Sequence, residues 1–162
     1  MGILQSKQKK NKSGKEHPRV MQELKLQASD ETLYTVLGEI EKLLDDNHCP
    51  ETLKMVMLMA VEEIFVNIAH YAYGGKPGEA VIGLDVIPNP KSCRVVFRDK
   101  GIPYNPLEKT DPDITLSAEE REIGGLGIYM VKQSMDKVEY RYEDGCNVLT
   151  IEKSLDGEMD MD

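Results

Sequence analysis

No apolar run in this sequence approaches the roughly 20 residues that a membrane-spanning helix needs, which argues against a helical membrane protein. The opening MGILQS superficially fits an N-myristoylation signal, but nothing else in the chain suggests a lipid anchor. Cysteine is scarce. Cys49, Cys93 and Cys146 are odd in number and widely spaced, with no CxxC, so they offer neither a metal-ligand cluster nor a disulfide framework. Reduced thiols and a cytoplasmic location are the expectation. Positive charge is in deficit as well: 20 Lys and Arg stand against 29 Asp and Glu, a net charge of −9. That balance argues against direct nucleic-acid binding, where a basic stripe is the usual footprint. It leaves a nucleotide pocket open, because neutral backbone N–H groups can hold phosphates.

What remains is 162 residues, 40% hydrophobic and 30% charged, enough for one domain with a substantial core. Residues 1–20 are polar, basic and without periodicity, and are expected to be a disordered arm or leader. Residues 21–154 form the expected domain, and 155–162 an acidic, frayed tail. MQELKL alternates as a short strand, with Leu24 and Leu26 on one face. SDETLYTVLGEIEKLLDD reads as a helix with Ser29 or Asp30 at its cap and a stripe of Leu33, Val36, Leu37, Ile40 and Leu44. A second helix begins after Pro50 and buries Leu53, Met57, Ala60, Val61, Ile64 and Ile68. Met55, Met57 and Met59 are expected as core filler.

Two strands follow, EAVIGLDVI and KSCRVVFRD, then an irregular stretch from Lys100 to Glu122, then a helix from Ile128 to about Met135. Two more strands close the chain around Glu143-Asp144-Gly145. Strands cluster in pairs, so the expected fold is α+β, a two-layer sandwich of a mixed, mostly antiparallel sheet with helices on one face.

Three constellations could carry chemistry. Glu63 and Asn67 lie four apart on one helix face, where a carboxylate could serve as general base and an amide oxygen could ligate Mg²⁺; the same pair also suits a solvated face. Asp99 ends the otherwise apolar face of Cys93, Val95 and Phe97, and would either accept from an adenine amino group or cap its own turn. His70 has no other ligand-type residue at a metal-binding spacing and is expected on the helix surface. Gly124, Gly125 and Gly127 open the last helix without a Walker A ending or a Rossmann strand, so they make either a turn or a phosphate cradle.

In order along the chain, EEIFVN, DKGIPYNP and GGLGIYMV resemble the N box and two glycine boxes of the histidine-kinase-like (GHKL) ATPase fold. AVEEIFVNIAHYAY and GGLGIYMVKQSMDKVEY are most similar to bacterial anti-sigma factor serine/threonine kinases. The resemblance implies ATP/ADP and Mg²⁺, with Glu63 as catalytic base and Asn67 as metal ligand. Asp99 and Gly101 would lie at the adenine, Gly124, Gly125, Leu126 and Gly127 at the phosphates, and Pro106 to Glu122 in an ATP lid. It also implies an anti-sigma factor antagonist as substrate, a sigma factor as a second partner, and a tendency to homodimerise. A module that binds ATP and switches partners without phosphotransfer is the alternative. A detached histidine-kinase half is disfavoured, since His17 and His48 sit in an arm and a turn. This sequence departs from the family pattern at Ile123, where some of these kinases carry an arginine near the glycines and only Arg121 is close, and at Tyr71, where relatives often carry histidine.

Overall fold

The computed structural model describes residues 2–7, 20–88, 90–108 and 126–156. Gly124, Gly125, Arg121, Ile123 and most of the expected lid lie outside the described residues. Among those described, six strands form one sheet in the order β1-β2-β3-β4-β6-β5, from β1 (Gly2–Lys7), β2 (Val20–Gln27), β3 (Glu79–Ile87), β4 (Ser92–Asp99), β5 (Lys137–Glu143) and β6 (Cys146–Ser154). Every pairing among the described residues is antiparallel, so the expected α+β sandwich with a mostly antiparallel sheet stands. Helices α1 (Leu33–Asp46), α2 (Glu51–Asn67) and α3 (Leu126–Ser134) complete it.

The expectation of a disordered arm over 1–20 is corrected for Gly2–Lys7, which pairs in register with Val20–Lys25 of β2. Main-chain bonds along an edge need no apolar alternation, which is why the sequence pattern carried no sign of it. The tail also begins later than expected. Leu155 is buried and donates its N–H to Lys91 O (2.8 Å), while Asp156 Oδ2 accepts from Lys91 N (2.7 Å).

Strand alternation sends Leu24, Ile82, Leu84, Val95, Phe97 and Ile151 into the core. There they meet Val36, Ile40 and Leu44 of α1, Met57, Val61 and Phe65 of α2, and Ile128 and Val131 of α3. Spacings of three and four on α1 keep one stripe on the sheet. Its start differs from the expectation: Thr32 occupies the cap position and makes no side-chain cap. Instead, Ser29 N–H donates to Thr32 Oγ1 (3.2 Å), and Thr32 N–H donates to Ser29 Oγ (3.3 Å). Asp30 pairs with His70 Nε2 at 2.7 Å, which places the histidine on the surface as expected.

Helix α2 is apolar nearly all round, and its methionines divide. Met57 is buried, but Met55 and Met59 are 56% and 60% exposed, so the core-filler expectation fails for these two. Four residues apart, they share the outer face, about half a turn from Met57. Lys54 of α2 staples the helix to α1 through Asp45 (2.9 Å), and it also pairs with Glu51 one turn back on α2 itself (3.1 Å). Those hydrogen bonds, Asp45's foremost, raise its pKa well above the usual lysine range. Beyond Asn67 the helix widens into one π-helical turn, Ile68–Ala72, a feature that often marks functional sites. The last hairpin turns on Asp144 and Gly145, both at positive φ, as a type I′ turn requires.

Candidate functional site

The end of α2, the end of β4 and the start of α3 enclose a cavity of about 450 Å³. Its walls are mostly apolar, with Ile64, Phe97, Ile102, Ile128 and Leu149 among them. Asn67, Asp99, Tyr140 and Asn147 supply polar groups, an arrangement typical of a small-molecule site. Strand geometry explains the grouping. Asp99 is the last residue of β4 and lies opposite Asn147 of β6, and one layer deeper Phe97 lies opposite Leu149. Tyr140 of β5 lies opposite Leu149 in turn.

Asp99 is only 6% exposed. Its Oδ1 accepts from Gly101 N (2.9 Å) and Asn147 Nδ2 (2.9 Å), so the capped-turn reading holds. The same residue lines the cavity. A buried carboxylate with two donors is well placed to accept from a third on a ligand.

Gly101 packs closely against a helix end. A Cβ there would collide with the carbonyl oxygen of Ala72, at the end of the π-turn. Its smallness lets the loop press against α2, where Ile102 N donates to Ala72 O (2.8 Å). Tyr73 fastens the same corner. Its hydroxyl donates to Glu79 O and accepts from Lys100 N (2.9 Å). Burial raises its pKa, and raises that of Tyr140 too, which keeps both phenols protonated as donors.

Glu63 lies outside the cavity wall, one turn before Asn67. Any side chain at Gly127 would strike its Oε2, so the carboxylate rests on the first turn of α3. A negative charge is favoured at that end of a helix. Of the expected site, then, Asn67 and Asp99 share one cavity, and Glu63 and Gly127 adjoin each other beside it. Leu126 is the first residue of α3. Tyr71, 68% exposed, lines the cavity mouth with Tyr104.

Sequence reading missed Asn147, Tyr104, Tyr140, Ile102, Ile128 and Leu149 as site residues. Asn147 follows a hairpin turn and carried no motif; only its register opposite Asp99 reveals it. No group of three or more His, Cys, Asp or Glu suited to a metal occurs among the described residues. No helix there is long and apolar enough to cross a membrane.

Residues 26–153 match the histidine kinase-like ATPase domain. The chain is 24% identical over 129 residues to the serine/threonine-protein kinase BtrW of Bordetella bronchiseptica, covering 79% of this chain and 89% of BtrW. Against the serine-protein kinase RsbW of Bacillus thuringiensis it is 30% identical over 97 residues, covering 57% of this chain but only 59% of RsbW. The fold also resembles the RsbU and RsbW domains of Rv1364c from Mycobacterium tuberculosis, with a TM-score of 0.56 at 14% identity, over 82% of this chain and 32% of that one.

Proposed function

The chain belongs to the histidine kinase-like ATPase domain family, and on that premise we propose that it is an ATP-dependent serine/threonine protein kinase. Its substrate would be a small anti-sigma factor antagonist in a cytoplasmic partner-switching circuit, with a sigma factor as second partner and a homodimer as the working form. The names of BtrW and RsbW support the reaction class. The observation that carries the reading is the juxtaposition of Asn67 and Asp99 on one largely apolar cavity, with Glu63 seated on α3 beside it.

The residues fit an adenine nucleotide. Asp99 supplies a buried acceptor for the base amino group, and Phe97, Ile102, Ile128 and Leu149 supply flat apolar contact. Asn67 offers one oxygen, so a metal would be held by that amide together with phosphate oxygens and water, as Mg²⁺ commonly is. When bound, Mg²⁺ would neutralise phosphate charge. Glu63 would orient the protein hydroxyl and take its proton as the phosphoryl group leaves ADP. Backbone N–H groups at the opening of α3 would steady the transferring group.

The test is incubation with γ-labelled ATP, Mg²⁺ and candidate antagonist proteins. Label is expected on a serine or threonine with the wild type, and a loss of about 100-fold or more with Glu63→Gln. Undiminished transfer by Glu63→Gln would remove Glu63 as the base. Nucleotide binding with no transfer to any acceptor would favour the ATP-binding switch.

A further inference from the structure

Asn147 uses its whole hydrogen-bonding capacity inside the protein. Nδ2 donates to Asp99 Oδ1 (2.9 Å) and to Ile102 O (3.0 Å). Oδ1 accepts from Tyr104 N (3.0 Å) and from the Tyr140 hydroxyl. An amide has two protons to give and two lone pairs to accept with, so nothing is left for a ligand.

The orientation of that amide is forced. A backbone N–H can only donate, so the atom facing Tyr104 N must be the oxygen. A carbonyl can only accept, so the atom facing Ile102 O must be the nitrogen. Two backbone groups of opposite polarity, both from the loop after β4, thereby fix which end meets Asp99. A donor meets it, and Gly101 N–H is a second. Both donors converge on one oxygen of Asp99, a residue 6% exposed, and Asn147 itself is 7% exposed.

We propose that Asn147 is a positioning residue for base selection: it holds Asp99 as an acceptor toward the cavity and makes the site choose a purine with a 6-amino group over one with a 6-oxo group. The proposal rests on the reading of the cavity as an adenine-nucleotide site. It assigns Asn147 no ligand contact of its own. Asn147→Leu keeps much of the volume but has no donor, so Asp99 Oδ1 loses one of its two partners and Ile102 O loses its own. Asn147→Thr keeps one hydroxyl that can still donate to Asp99.

The experiment is calorimetric titration of the full chain with ADP and, separately, with inosine diphosphate, which differs in carrying an oxo group at the 6-position. The wild type is expected to prefer ADP by at least about tenfold, since a site built to bond a donor rejects an analogue lacking it. With Asn147→Leu the preference is expected to fall to within about threefold, whereas Asn147→Thr keeps an ADP preference at weaker affinity. Asn147→Ala repeats the test if the Leu variant loses cooperative thermal unfolding; with no donor it too should lose the preference. A variant lacking the donor that binds more weakly but keeps the wild-type ratio would overturn the proposal, because a merely structural residue weakens both nucleotides alike. Wild-type protein that binds neither nucleotide would overturn the nucleotide-site reading itself.

Discussion

Replacing Gly101 by alanine should destabilise the protein, whereas the same change at Gly127 should not. At Gly101 the added methyl meets main chain: the carbonyl oxygen of Ala72, on a helix end held by its own hydrogen bonds. Neither side can yield cheaply. Overpacking of this kind costs about 1–3 kcal/mol. Separating the loop from α2 also weakens the bond from Ile102 N to Ala72 O, worth about 1 kcal/mol. The sum, about 2–4 kcal/mol, lowers Tm by roughly 5–15 °C in a domain of this size. At Gly127 the methyl meets only the tip of Glu63, a flexible side chain near the surface, and alanine gains up to about 1 kcal/mol of helix propensity. There Tm should stay within roughly 3 °C of wild type. Transfer activity should nevertheless fall, by about 100-fold for a reactive group displaced on the order of 1 Å. Thermal unfolding of the nucleotide-free proteins by circular dichroism measures both. Equal Tm losses at the two positions, or none at Gly101, would refute the assignment of their neighbours.

The Lys54 staple makes a pH prediction. Because its pKa is raised on folding, its stabilisation is complete below the unfolded value near 10.5 and is lost only as pH climbs further. The stability gap between wild type and Lys54→Met should therefore stay level from about pH 6 to 9 and close in strong alkali; a gap that widens with rising pH in denaturant titrations would contradict the pairing. Thiol accessibility makes another. Cys93 is fully buried and burial pushes its pKa up to about 12, and Cys49 is buried with its pKa raised for the same reason. Alkylation followed by mass spectrometry should label Cys146 first in the native protein and all three thiols after unfolding; rapid native labelling of Cys93 would show that β4 is less buried than described.

Much of this fold was legible because its helices and strands obey clean periods. The stripe of Leu33, Val36, Ile40 and Leu44 and the alternation of Leu24 and Leu26 both face the core. Edge strand Gly2–Lys7 was invisible for the opposite reason, since its sequence shows no apolar alternation and the main-chain pairing that places it beside β2 leaves no sequence pattern. Helix α2 misled because an apolar residue on every face hides which face is outer, so Met55 and Met59 were placed inwards. Asp99 and Asn67 could be found from local context, one ending an apolar strand face and the other sharing a helix face with Glu63. Asn147 could not, for it becomes meaningful only when β6 aligns beside β4 across 48 positions of sequence. Gly101 shows a subtler limit: the sequence suggested a close approach, but only the fold reveals that the approaching group is Ala72.

The most direct measurement of the nucleotide site is the change in thermal stability of wild-type protein and Asp99→Asn on adding Mg-ADP. A ligand of the native state at a hundredfold excess over its Kd stabilises by about 2.7 kcal/mol, which for this size corresponds to a Tm rise of roughly 5–11 °C. The wild type should show that rise, and Asp99→Asn, folded but with an amide in place of the buried acceptor, should lose most of it. No rise in the wild type, or an equal rise in both proteins, would contradict a base-binding role for Asp99.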